Sequence, residues 1–236
     1  MSFVSLVIPA FNESEIITQT VDCASDFLSR HFSSHEIIIV DDGSSDGTCE
    51  RLAETDAVVV RFDRNRGKGA AVREGVMHAR GDYIFFTDAD LPYPLEFIVE
   101  AANLIACMPA EVVCGRRFGR YPLERRAASY MFNRMTSLLL GINVSDVQCG
   151  IKGFSRYAAQ RIFPLCRTEG FAFDSEVLFL AERFGMGIAS LGVPLSHRRA
   201  STVSLSNDGA DMLAELLTIR RNYKAGAYER VKGYQG

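Results

Sequence analysis

Short apolar runs alternate with longer stretches in which apolar residues recur every three or four positions. Val4–Ile8, Glu36–Val40, Ala57–Phe62 and Tyr83–Phe86 are short and rich in β-branched or aromatic residues, so they read as strands. Pro9 is expected to close the first. Between them, the stripe Ile16, Ile17, Val21, Ala24 and Phe27 predicts a helix, opened by the cap-like residues Asn12-Glu13-Ser14-Glu15. A short helix to about residue 54 and another over 70–80 follow. Strand–helix alternation of this kind predicts a mostly parallel, twisted α/β sheet flanked by helices.

The second half is less regular. Helices are expected over 94–107, 122–140, 173–184 and 208–224, and strands over 111–114, 150–154 and 188–193. We read one domain with a nucleotide-binding half to about 115, an acceptor-binding half over 116–206, and a C-terminal helix over 207–236.

The 236 residues carry a net charge of −3, which gives no reason to expect nucleic-acid binding. Six cysteines are scattered without a Cys-x-x-Cys pair, as suits reduced thiols in a cytosolic protein better than zinc. No run is long enough to cross a bilayer, and Phe3–Ile8 is too short for a signal-peptide core. The expected location is cytoplasmic, with any membrane contact made from the surface.

The candidate chemistry sits where the strands end. Asn12 and Glu13 follow the first strand, Asp41 and Asp42 the second, Asn65-Arg66-Gly67-Lys68-Gly69 the third, and Asp88 and Asp90 the fourth. One such end could be a helix cap. Four at the same edge of a parallel sheet point to one polar ligand, because open α/β sheets bind ligands beyond the carboxyl ends of their strands. Asp88 and Asp90, i and i+2 in an extended segment, would converge on a hard divalent cation, Mg²⁺ or Mn²⁺. Lys68 and the N–H groups around Gly67 and Gly69 suit a phosphate. Gly67-x-Gly69 is neither a dinucleotide fingerprint nor a Walker loop, which disfavours hydride transfer and P-loop ATP hydrolysis.

Taken together, Ile8-Pro9-Ala10-Phe11-Asn12-Glu13, Val40-Asp41-Asp42-Gly43-Ser44-Ser45-Asp46, Asn65-Arg66-Gly67-Lys68-Gly69 and Asp88-Ala89-Asp90 resemble the inverting glycosyltransferases of family 2, which have the GT-A nucleotide-sugar fold. Asp146-Val147-Gln148-Cys149-Gly150-Ile151-Lys152 and Phe173-Asp174-Ser175-Glu176 look like the dolichyl- and polyprenyl-phosphate hexosyltransferases. The resemblance implies a nucleotide-sugar donor, UDP-glucose or GDP-mannose, and a polyprenyl phosphate acceptor. Pro9, Phe11, Glu13, Asp41, Asp42, Lys68 and Asp88 would then hold the nucleotide sugar, and Asp88 and Asp90 the metal. Asp90, Asp174, Arg117 and Arg199 would be the catalytic set. Arg117, Arg126, Ser129, Asn133 and Ser204 would bind the acceptor.

A phosphate monoester is largely ionised at neutral pH, so such an acceptor needs positioning more than deprotonation. A family 2 enzyme with a hydroxyl acceptor and a non-catalytic nucleotide-sugar-binding protein are the alternatives. A sugar-1-phosphate nucleotidyltransferase would place a glycine-rich basic loop after the first strand, where Pro9–Glu13 stands instead.

Overall fold

The structure is a computed structural model that describes residues 2–119, 123–170, 172–194 and 208–229, with no side-chain detail for 123–128 and 208–211. Seven strands form one sheet: β1 (Phe3–Ala10), β2 (Ser34–Asp41), β3 (Val58–Arg61), β4 (Tyr83–Phe86), β5 (Val112–Phe118), β6 (Lys152–Ser155) and β7 (Ile188–Pro194), in the order β3-β2-β1-β4-β6-β5-β7. β1 to β4 are mutually parallel, so their carboxyl ends share one edge as expected. β6 runs antiparallel to β4 and to β5, and β7 returns parallel to β5. Eight α-helices and one 3-10 turn (Phe163–Leu165) accompany the sheet in the described residues: α1 (Ile17–His31), α2 (Thr48–Leu52), α3 (Lys68–His78), α4 (Glu96–Cys107), α5 (Leu123–Leu140), α6 (Arg156–Ile162), α7 (Phe173–Arg183) and α8 (Asp208–Lys224).

Apolar layers cover both faces of the sheet. On β4, Phe85 joins Leu6, Ile8, Ile39 and Phe97 on one face, while Phe86 joins Phe154, Phe163 and Phe173 on the other. This is the period-2 alternation of a strand, applied to a run apolar at every position. Phe86 stacks on Phe154 at 6.0 Å between centroids, and Phe154 meets Phe163 edge-on at 5.1 Å. Burying each ring contributes about 1.5–3 kcal/mol.

Two local expectations change. Pro9 does not end β1, which continues to Ala10. Pairing of β1 with β4 stops at Val7, so from Pro9 onward β1 has a ladder only with β2 and the missing N–H is tolerated. The residues 12–15 do not cap α1 either. The helix starts at Ile17 with no side-chain cap, and Glu13 takes the Ile16 and Ile17 N–H groups on its backbone carbonyl. Asn12 instead adopts φ 56°, and its Oδ1 accepts from Ser45 N at 3.0 Å.

Candidate active site

The turns beyond β1 and β2 are knitted together. Ser44 Oγ accepts from Asn12 N at 2.9 Å, Thr48 Oγ1 from Glu13 N at 2.9 Å, and Asp46 Oδ2 from Ser14 N at 3.0 Å. The Thr48 hydroxyl, with the Ser14 and Thr48 N–H groups, outweighs the desolvation that would raise the Asp46 carboxyl and holds it down at about 2. Phe11, 46 % exposed, presents a ring at this edge. Glu13 is half-buried. Asp41 is fully buried: its Oδ1 accepts from Ser44 N at 3.0 Å. Asp41 Oδ2 has no hydrogen-bond partner, and its nearby charge is Arg61 Nε at 3.4 Å.

Asp42 is engaged with the loop after β3. Its carboxylate accepts from Arg66 N at 2.7 Å and Gly67 N at 2.9 Å, so it ties down the glycine-rich loop. Burial pushes the Asp42 carboxyl up, and these N–H bonds offset part of the rise. Gly69 N is also taken, by Glu169 O at 2.8 Å. The backbone amides of Gly67 and Gly69 are therefore spent inside the protein, which corrects the expectation that they cradle a phosphate. Gly67 has φ 97°, and a Cβ there would lie 2.5 Å from Glu169 O, so glycine is required twice over.

What the loop does deliver is Lys68, whose ammonium is hydrogen-bonded to Asp88 Oδ1. Burial pulls this ammonium down, but Asp88, followed by Asp174, outweighs it and raises the lysine above its ordinary value. Asp88 and Asp90 are both half-buried. They lie on a turn closed by Leu91 N to Asp88 O at 3.1 Å, not on an extended segment as expected. Leu91 there has φ 44°, a costly conformation for a leucine and one that clusters at functional sites. Thr20 of α1 pins the same turn by donating to Ala89 O at 2.6 Å. Gly150 faces it from the loop that leads into β6, and a Cβ on Gly150 would overlap the Asp88 carboxylate.

Among the described residues no group of three or more His, Cys, Asp or Glu side chains stands together as a metal cage. Two carboxylates on one turn suit Mg²⁺ or Mn²⁺ only if substrate oxygens complete the shell, which is the usual manner of Mg²⁺ binding with phosphates. The residues therefore fit a metal that arrives with a diphosphate.

A second polar cluster is built around Arg117, near the end of β5. Its Nε and Nη2 donate to Asp146 at 2.8 and 2.7 Å, and its backbone N donates to Asp146 Oδ2 at 2.9 Å. Burial opposes this charge, but Asp146 more than compensates and raises the guanidinium above its ordinary value. Asn133 of α5 spends both ends of its amide on the same segment, donating to Ser145 O at 3.0 Å and accepting from Val147 N at 3.3 Å. It thus positions the 145–147 loop, next to the Arg117–Asp146 pair. Ser129 is half-buried on α5. The Arg126 side chain, Arg199 and Ser204 lie outside the described residues.

Asp174, expected in the catalytic set, sits in a buried ion pair. Its Oδ1 accepts from Lys152 Nζ at 2.5 Å, and the same ammonium donates to Val147 O at 3.0 Å and Cys149 O at 2.7 Å. Lys152 is fully buried. A buried cation survives only when its protons are satisfied, and here the satisfaction fixes the 147–149 loop beside Gly150.

Asp146, Gly150 and Lys152 had no individual role in the sequence reading. The only signal for them was their place in the motif Asp146–Lys152. Their partners are 29 and 22 positions away for the Arg117–Asp146 and Lys152–Asp174 pairs, and sequence spacing does not reveal such pairs.

A family profile described as Glycosyl transferase family 2 matches residues 5–163. The chain belongs to this family. Dolichyl-phosphate beta-glucosyltransferase of Saccharomyces cerevisiae is 32% identical over 96% of this chain and 76% of its own length. The protein of the same name in Dictyostelium discoideum is 30% identical over the same shares. Glucosyl-3-phosphoglycerate synthase of Mycobacterium tuberculosis, solved with Mn²⁺, UDP and its product, superposes with a TM-score of 0.72 at 22% identity, covering 95% of this chain and 80% of that one. That likeness establishes the fold as GT-A. As a family 2 member the protein is a glycosyltransferase, and no described helix is long and apolar enough to cross a membrane.

Proposed function

We propose that this family 2 enzyme transfers glucose from UDP-glucose to a dolichyl-type polyprenyl phosphate, with inversion at the anomeric carbon. The observation that carries the reading is the similarity to dolichyl-phosphate beta-glucosyltransferases over 96% of the chain, which takes in both the Asp88 turn and the Arg117–Asp146 pair. It favours glucose over mannose.

In this reading Phe11 offers its exposed ring to the base, with Pro9 and Glu13 beside it. Asp41 Oδ2, buried without a hydrogen-bond partner, is the acceptor a base or ribose donor would satisfy. Asp88 and Asp90 would hold Mg²⁺ or Mn²⁺, which when bound offsets the charge that develops on the leaving diphosphate. Lys68, already beside Asp88, adds a second positive charge at that place.

Arg117 spends its Nε and Nη2 on Asp146, which in this reading leaves Nη1 for the acceptor phosphate. Ser129 and Arg126 of α5, and Arg199 and Ser204, complete the acceptor site in this reading. The nucleophile is a phosphate oxygen, already ionised, that attacks the anomeric carbon as the bond to the diphosphate breaks. No protein base is needed, and Asp174 acts through Lys152 by holding the loop that carries Gly150 and Asp146. The enzyme would meet its lipid at the cytoplasmic membrane surface.

The test is transfer of labelled hexose from UDP-glucose and from GDP-mannose to dolichyl or undecaprenyl phosphate, with Mn²⁺ and with EDTA. The expected result is a metal-dependent, butanol-extractable product from UDP-glucose. Product from GDP-mannose alone overturns the donor. Transfer only to a hydroxyl acceptor overturns the lipid phosphate.

A further inference from the structure

Glu176 is fully buried on α7, and the mechanism above does not use it. Its Oε2 accepts from Arg167 N and Thr168 N, each at 2.8 Å, and its Oε1 accepts from Tyr228 Oη at 2.5 Å. Tyr228 lies just beyond α8. The chain turns back there at Gly226, φ 70°, and Ala227 N bonds to Asn222 O at 2.9 Å. This turn drives the Tyr228 ring into the core, where it is 5% exposed.

Two further bonds tie α8 and its terminal turn to the same stretch. Arg167 Nη2 donates to Ala227 O at 3.0 Å, and Glu215 Oε2 of α8 accepts from Ala172 N at 2.9 Å. Residues 167–172 are thus clasped at both ends from the C-terminal helix. Between those ends lies Glu169. Its carbonyl accepts from Gly69 N at 2.8 Å, and its carboxylate takes Arg66 Nη2 at 2.8 Å. Gly67 and Gly69 pack so closely on the 168–169 carbonyls that a Cβ at either would come within 3 Å of them. Lys68 stands between those two glycines.

We propose that Glu176 and Tyr228 are positioning residues through which the C-terminal helix sets the glycine-rich loop, and with it Lys68, for the donor diphosphate. The proposal rests on the donor site assigned under Proposed function. Tyr228 and the whole of α8 lie beyond the 5–163 stretch that the family profile matches, so this clasp is an addition outside that stretch. A carboxylate with three donors is a rigid anchor, because each charge-assisted bond restricts the same two oxygens. Removing only the tyrosine hydroxyl loosens one end of the clasp while the ring still fills its place.

The experiment compares the full-length wild type with Tyr228→Phe and Glu176→Gln. Amide hydrogen exchange is followed over residues 65–72 without nucleotide, and UDP binding is measured by calorimetry with Mn²⁺. Tyr228→Phe is expected to speed exchange at Gly69 and Ala70 and to weaken UDP binding about five- to tenfold, the scale of one lost hydrogen bond. The KM for the lipid phosphate should stay within about twofold of wild type on the same scale. Glu176→Gln, which keeps an acceptor oxygen for the two N–H groups, should lie between.

Unchanged exchange over 65–72, or faster exchange spread evenly over the sheet, overturns the positioning role. Faster local exchange with unchanged UDP affinity overturns its link to the donor. Failure of the wild type to bind UDP sinks the donor assignment and, with it, the role in setting Lys68; the exchange result would still show whether α8 holds the loop.

Discussion

The ammonium of Lys68 is hydrogen-bonded to Asp88 Oδ1, joining the loop after β3 to the turn after β4. In the proposed function, a cation already placed at that carboxylate would compensate the negative charge of the donor diphosphate. Asp88→Asn removes the charge that pairs with Lys68 and, in the proposed function, with the metal. Transfer should fall about 10²–10³-fold, the scale of losing one preorganised electrostatic partner. UDP affinity should lose its dependence on Mn²⁺, which calorimetry with and without EDTA would read.

Gly150→Ala probes the same point from the loop before β6. The added methyl would overlap the Asp88 carboxylate, the far end of a side chain that can swing aside. We expect the melting temperature to change by only a few degrees, with a loss of about 1 kcal/mol of stability. Metal-dependent UDP binding should weaken at least tenfold. Full metal-dependent binding in this variant would mean that the position of Asp88 does not matter to the donor.

Arg117 and Asp146 form a partly buried fork. Arg117→Lys keeps the charge but cannot span both carboxylate oxygens. The KM for the acceptor should rise about tenfold, with the donor KM little changed. Asp146→Ala leaves the guanidinium without its partner and should cost on the order of 3 kcal/mol of stability, measured by urea unfolding.

Asp46 gives a pH-dependent prediction with a definite sign. Its folded value of about 2 lies below the unfolded aspartate value of roughly 3.9. The unfolded state therefore binds more protons in that window, and the stabilisation is present above about pH 5 and lost as pH falls toward 2. Wild type should be more stable than Asp46→Asn at pH 6, and the gap should shrink on acidification, as urea midpoints across the pH range would show. A constant gap would exclude an ionised Asp46 as the tie between the first two turns.

Much of this was legible in the chain. Tyr83–Phe86 is apolar throughout because a central strand is covered on both faces, and that pattern is local. The four polar strand ends were legible too, since parallel connection forces them to one edge. Other features depended on partners distant in sequence. Asp42 reads as a ligand-facing acid until the Arg66 and Gly67 N–H groups, 24 and 25 positions on, claim both its oxygens. Glu176 reads as a helix-start charge until Tyr228, 52 positions away, closes on it.

The sequence by itself determined the strands, the glycine-rich loop and the acidic turns, because backbone preference and side-chain period act over a few residues. It also determined the family, because its motifs are contiguous. Only the tertiary structure decided which charges are compensated inside the protein: Lys152 by Asp174, Arg117 by Asp146, and the amides of Gly67 and Gly69 by Asp42 and Glu169. Those pairings depend on how α7, the loop before it and the loop before β6 close against the strand ends. Burial makes every unpaired charge costly, so the packing, rather than the local sequence, settles which polar groups remain for the substrate.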